Sequence, residues 1–262
     1  NVGPFLGRQM IQRLVTSNPS PAYVARVAGV FNNNGKGVRG DLGAVFKAIL
    51  LDDEALGEAS LASTGFGKLR EPMLRIAQWA RTFKVNSIKG TWKMQGFTFS
   101  ANTSLEQNPL SAPSVFNFFR PGYVPPGTAL ANSGATAPEF QLLNESTVCA
   151  YVNCLQDILY QGIWVRAPEL VVNPDKNTAT DGQDLAPDYS REFALMTDDY
   201  TLVQHLNLLL CAGQMPADTV QRIAAALATD NIGPNANEGP KRSHVARAIM
   251  FVMTSTDYLI QR

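Results

Sequence analysis

Histidine is nearly absent from this chain of 262 residues: there are two, His205 and His244. Neither has a cysteine or a second histidine at ligand spacing, and there is no HExxH pattern, so metal or triad chemistry built on histidine is not expected. The three cysteines, Cys149, Cys154 and Cys211, have no zinc spacing either. Cys149 and Cys154 fall on different faces of a helix, and all three read as small buried side chains; one disulfide involving Cys211 is the alternative. Charged residues make up only 17%, and 22 basic side chains balance 22 acidic ones. That balance argues against a nucleic-acid binder, which carries a basic excess. It also removes the self-repulsion that keeps proteins apart, so assembly with partners is expected. No apolar run approaches the roughly eighteen residues of a membrane helix. Gly35, Gly37 and Gly40 lack the preceding strand and the lysine and hydroxyl of a phosphate loop, and no GxSxG elbow occurs.

The opening, NVGPFLGRQM, has no initiator methionine, basic n-region or apolar signal core. The expectation is a fragment of a longer protein, in which any targeting signal lies upstream.

What is present is helical periodicity. A first helix is predicted over 5–16, with Phe5, Met10, Ile11, Leu14 and Val15 as its apolar stripe. Asn18-Pro19-Ser20-Pro21 breaks it, because proline disfavours the α region for the residue before it. A second helix follows over 22–31, using Tyr23, Val24, Val27, Val30 and Phe31. After a turn rich in asparagine and glycine, a third covers 41–51, capped by Asp41, with Leu42, Val45, Phe46, Ile49 and Leu50 inward. A fourth is predicted over 68–83, with Pro72 in its first turn, where a missing amide costs little. Longer helices are predicted over 144–163 and 198–211, the second capped by Asp198 or Asp199, then over 216–228 and 241–254. The stretch 168–189 reads as a polar surface excursion. Strand signals are weak. The fold class is therefore all-α: one irregular helical domain over 1–262, with seven or eight helices.

Residues 84–142 interrupt this pattern with little periodicity. Trp92, Phe97, Phe99 and the segment PSVFNFFRPGYVPPG at 113–127 supply too much aromatic surface for a disordered stretch. The prolines exclude a helix interior or a central strand. An ordered, extended belt pressed against the helical core is expected.

Candidate chemistry is sparse. Asn32-Asn33-Asn34-Gly35-Lys36-Gly37 places oxygens before a glycine, but a calcium loop needs several carboxylates and a bidentate glutamate, and Gly43 holds the twelfth place. It reads as a turn between helices. Among carboxylates, Glu71 sits at a helix start, and Glu139 and Glu145 flank the start of the helix over 144–163. With Arg120, these two glutamates are expected to form a buried ion-pair network locking the belt in place. The functional alternative assigns Glu139, Glu145 or Glu71 to acid/base work on a sugar, where paired carboxylates stand roughly 5–9.5 Å apart. Phe119, Arg120 and Tyr123 are the candidate binding residues of the belt, beside Phe116 and Phe118. No metal ligands and no cofactor are expected.

The belt, together with APEFQLLNESTV at 137–148, resembles the bacterial domain-of-unknown-function family numbered 1800. Further stretches in the same order are similar to it: RQMIQRLVTSNPSPAYVARVAGVFNNNGKGVRGDL at 8–42, GKLREPMLR at 67–75, HLNLLLCAGQMPADT at 205–219 and VMTSTDYLIQR at 252–262. The resemblance covers the C-terminal half or so of such proteins. It implies an exported protein, periplasmic or extracellular. It also implies a partner: the missing N-terminal half, or an exported sulfatase-like protein of the family numbered 1501. The family supplies no catalytic residues to carry over, and Cys149 and Cys154 fall outside its motifs. The expected function is an exported interaction or assembly protein of a larger complex. The alternative is an enzyme, or enzyme subunit, acting on an extracellular polysaccharide.

Overall fold

The computed structural model describes residues 1–88, 90–93, 104–166, 181–230, 232–233 and 235–262. Phe97 and Phe99, and the part of the polar excursion before residue 181, lie outside the described residues. Thirteen α-helices and one 3₁₀ helix occur among the described residues. Eight helices are nine residues or longer, and these are the eight that periodicity predicts. Five short helices and five short strands are additional. The described chain forms two compact units, each assembled from separate segments.

The first unit comprises Asn1–Arg70, Ala112–Leu143 and Ile260–Arg262. It is built on α1 (Val2–Leu14), α2 (Pro21–Asn32) and α3 (Leu42–Leu50), followed by the single turns α4 (Asp53–Leu56) and α5 (Glu58–Ala62). Ser20 caps α2 by accepting from the Tyr23 amide, and Asp41 caps α3 by accepting from that of Ala44. Ile11, Tyr23, Val27, Phe31, Val45 and Ile49 form its core. The Tyr23 hydroxyl donates to the Ile49 carbonyl at 2.6 Å, tying α2 to α3. In the turn after α2, Asn33 Oδ1 accepts from the amides of Gly35 and Gly37, and Asn34 Oδ1 from those of Lys36 and Val38. These side chains organise backbone, as a connecting turn requires.

Two predicted faces are corrected. On α1 the buried row is Gly3, Gly7 and Ile11, while Phe5 is 67% exposed. A Cβ on Gly7 would stand 3.1 Å from Val27 Cγ1, and one on Gly3 would stand 3.3 Å from the Ala28 carbonyl oxygen. The glycines let α1 approach α2 closely; of the predicted stripe, Ile11 is sealed and Met10 and Val15 pack against the core, whereas Phe5 and Leu14 are exposed. On α3, Val45 and Ile49 are sealed, but Leu42, Phe46 and Leu50 are 48%, 44% and 47% exposed.

The first unit also holds β1 (Lys68–Leu69) paired antiparallel with β5 (Ile260–Gln261). Residues 68–69 are thus strand rather than the start of a helix. Gly67 makes the pairing practicable: its φ is +127°, and a Cβ there would meet the Gln261 carbonyl oxygen at 2.8 Å. The belt at 113–127 belongs to this unit, with α7 (Ala129–Ser133) and the 3₁₀ helix Pro138–Leu142 after it. It is less buried than expected. Phe119 is enclosed, with the Arg13 guanidinium 4.0 Å above its ring, but Val115 is 96% exposed.

The second unit comprises Glu71–Ser111 and Asn144–Leu259. Its helices are α6 (Pro72–Thr82), α8 (Glu145–Gln161), α9 (Ser190–Leu195), α10 (Asp199–Cys211), α11 (Ala217–Ala228), α12 (Glu238–Thr254) and α13 (Thr256–Leu259). A small antiparallel sheet runs in the order β2 (Asn86–Ser87), β4 (Asp181–Ala186), β3 (Ile163–Arg166). Asn144 forms a capping box with Thr147, and Asp198 accepts from the amides of Tyr200 and Thr201. α12 starts at Glu238, three residues before the predicted 241, with Pro240 in its first turn. The core gathers Trp79, Tyr189, Leu155, Leu159, Leu202, Leu206 and Ile249. Trp79 Nε1 donates to the Tyr189 hydroxyl at 3.1 Å, which donates to the Leu159 carbonyl at 3.0 Å, so both buried polar handles are satisfied. Cys149, Cys154 and Cys211 are all free thiols. Cys154 and Cys211 lie in this core as small apolar side chains, and Cys149 is exposed.

Candidate functional site

Glu139, the first carboxylate candidate, has no exposed surface. The 3₁₀ helix Pro138–Leu142 delivers it to the end of α1, where Ser17 Oγ donates to its Oε2 at 2.7 Å. Lys68, on β1, places its ammonium 3.7 Å from Oε1 and donates to the carbonyl of Arg13 at 2.8 Å. Gln12 and Thr136 extend this network: Gln12 Nε2 donates to the carbonyls of Ser17 and Pro121, each at 2.9 Å, and Thr136 Oγ1 donates to the carbonyl of Ser17. The buried pairing expected of Glu139 therefore exists, with a corrected partner. Its cation is Lys68, whereas Arg120 is exposed and contributes its backbone amide to Gln141 Oε1 at 2.9 Å.

The remaining predicted residues are dispersed. Glu145 is exposed in the first turn of α8, where a negative charge suits the helix dipole. Glu71 is half-buried and accepts from Gln107 Nε2 at 2.6 Å. Phe119 turns inward under Arg13, which leaves its ring enclosed. Tyr123 is half-buried, its carbonyl accepting from the Ala137 amide at 2.9 Å.

The two histidines are both gripped by carboxylates. His244, on α12, lies between two aspartates: its Nε2 is 2.7 Å from Asp199 Oδ1, and its Nδ1 is 3.0 Å from Asp230 Oδ2. Asp199 opens α10, and Asp230 follows α11, so one imidazole ties three helices together. Asp230 also accepts from Arg247, one turn along α12 from His244. His205, on α10, meets Glu192 of α9 at 2.9 Å. Both ring nitrogens of His244 face carboxylate oxygens, so the ring offers no free lone pair to a substrate or a metal. Among the described residues no group of three histidine, cysteine, aspartate or glutamate side chains is placed to hold a metal ion.

Two depressions adjoin this charged chain. One, of about 440 Å³, is lined by His244, Asp199, Thr197 and the apolar side chains of Met196, Leu227 and Ile232. The other, of about 420 Å³, runs between α8 and α12 over Leu155, Leu159 and Ala246, with Arg247 on its wall. Sequence reasoning missed both depressions and the Arg247–Asp230–His244–Asp199 chain. The only local clue is that His244 immediately precedes the buried row Val245, Ala248, Ile249 and Val252.

Fold and geometry together define a mostly helical protein whose buried charges act as fasteners between elements. The chain belongs to the family described as Protein of unknown function (DUF1800), whose model matches residues 1–260. Comparison with curated proteins and with solved structures returns no match.

Proposed function

We propose that the chain is an interaction and assembly component of an exported complex, periplasmic or extracellular. The observation that carries this reading is the outward row of α3. Leu42, Phe46 and Leu50 recur every four residues, which places them one above another on a single helix face. On a surface helix that face is normally polar. Here Lys47 is the single charged residue of α3, and Leu51 and Leu56 continue the exposed apolar surface beyond its end. Zero net charge adds no long-range repulsion against a partner. The partner proposed from the resemblance is an exported sulfatase-like protein of the 1501 family. The alternative of acid/base chemistry on a polysaccharide draws no support from Glu139, which has no surface to offer a polymer.

Mixing the purified chain with such a sulfatase-like protein tests the reading by co-elution. Phe46→Asp combined with Leu50→Asp is expected to weaken the complex at least about tenfold, a loss of about 1.4 kcal/mol. Its melting temperature should change little, because neither side chain is in the core. A wild-type chain that stays a monodisperse monomer beside the candidate partner, and in native extracts, would count against the proposal.

A further inference from the structure

We propose that the groove between α8 and α12 is a binding site for a neutral oligosaccharide, a role separate from the docking face on α3. Its volume, about 420 Å³, falls within the roughly 300–1,000 Å³ of small-molecule pockets. Gln156, Asp157, Tyr160 and Gln161 of α8 face Ser243 and Arg247 of α12 across it. A sugar hydroxyl both donates and accepts hydrogen bonds, so its site needs both capacities close together. The two glutamine amides and the serine hydroxyl each supply both, the aspartate accepts and the guanidinium donates. A sugar ring also has apolar C–H faces, and these require apolar surface. Met250, half-buried in the groove, and Tyr160, 40% exposed, provide that surface, the second as an aromatic edge.

Charge separates this ligand class from its competitors. Arg247 is the one cation on the wall among the described residues, and Asp230 already neutralises it. Asp157 then leaves the groove with a negative excess, which disfavours phosphates, sulfates and carboxylates. The polar walls equally disfavour an apolar helix. The groove is also organised before a ligand arrives. Its walls lie on two helices of 17 residues each, and the pairs Gln156/Tyr160, Asp157/Gln161 and Ser243/Arg247 are each one helical turn apart. Arg247 is aimed from behind by Asp230, which His244 holds in turn, with Asp199 beyond. A guanidinium fixed in this way loses little freedom on binding.

The test is calorimetric titration of the whole chain with three neutral sugars, cellotriose, maltotriose and N,N′,N″-triacetylchitotriose, with inorganic phosphate as the anionic comparison. At least one trisaccharide is expected to bind saturably and more tightly than phosphate. Tyr160→Ala and Gln156→Ala should each weaken it at least about tenfold, with an unchanged melting temperature because both side chains are exposed. Gln161→Ala, also exposed, replaces either variant that fails to fold. Asp230→Asn should weaken binding too, although Asp230 does not line the groove. Absence of saturable binding by all three sugars overturns the proposal, as does tighter binding of phosphate. Trisaccharide binding that survives Tyr160→Ala and Gln156→Ala places the sugar elsewhere and overturns it as well. Loss of the α3 face by Phe46→Asp and Leu50→Asp should leave the titration unchanged, so the two proposals fail independently.

Discussion

At the residue scale, the cysteines differ in chemistry because they differ in surroundings. Burial, with the Asp157 carboxylate nearby, pushes the Cys154 thiol up to about 12, so it stays protonated and unreactive near neutrality. Cys149 is exposed and Cys211 is buried. Iodoacetamide at pH 8 should therefore modify Cys149 in the native protein, and Cys154 and Cys211 only after denaturation, as mass spectrometry of digests would read. Lys68 and Glu139 present the opposite case, a charge pair enclosed together. Lys68→Met removes the ammonium and leaves the carboxylate buried with Ser17 alone, which should destabilise the fold by about 3–5 kcal/mol. Chemical denaturation would measure that loss, and adding Glu139→Gln should recover part of it. That Glu139 enters a buried ion pair was expected from the chain, but its partners Lys68 and Ser17 were not legible there. Ser17 and Glu139 are 122 residues apart, and spacing along a sequence carries no information about such contacts. The same holds for His244 with Asp199, separated by 45.

At the element scale, the existence of the eight long helices was legible because their signals are local. The caps at Ser20, Asp41, Asn144 and Asp198 and the proline at position 72 act within one turn. Which face turns inward was not always legible. Hydrophobic periodicity finds a face by its bulk, and α1 contacts its neighbour through glycines, which have none. On α3 apolar residues occupy both sides, so periodicity could not choose between them. A pair of substitutions separates the roles of two helical glycines in the first unit. A Cβ on Gly7 would stand 3.1 Å from Val27 Cγ1, whereas one on Gly29 would meet nothing within 4 Å. Gly7→Val should therefore cost about 1–3 kcal/mol through overpacking. Gly29→Ala should stabilise by roughly 0.5–1 kcal/mol, because alanine loses less backbone entropy in a helix. Thermal melts of both variants, read by circular dichroism, should move in opposite directions.

At the scale of the whole molecule, the titrating groups set the pH window of stability. Hydrogen bonds hold several carboxylates below the usual range: Asp52 by Arg26, Asp41 by Asn34 and Asp198 by Thr201. Their contribution is present above the unfolded aspartate value of about 4 and is lost as pH falls below it. Burial pushes Tyr23, Tyr151 and Tyr189 above the ordinary phenol value. Their contribution is complete below about pH 10 and disappears as pH rises further. Stability should fall away at both extremes, and phenolate absorbance from these three should appear together with alkaline unfolding, which a spectrophotometric titration would follow. Asp52→Asn should flatten the acid limb. The β1–β5 pairing has a consequence in time. Ribosomal synthesis runs from the amino end, so every residue of the second unit, through Leu259, is made before Ile260 and Gln261. β1, made before the second unit, must wait for the residues that follow that unit before it has a partner. During translation Lys68 and Leu69 thus present an open backbone edge, which the schedule of synthesis keeps open until Leu259 has been passed.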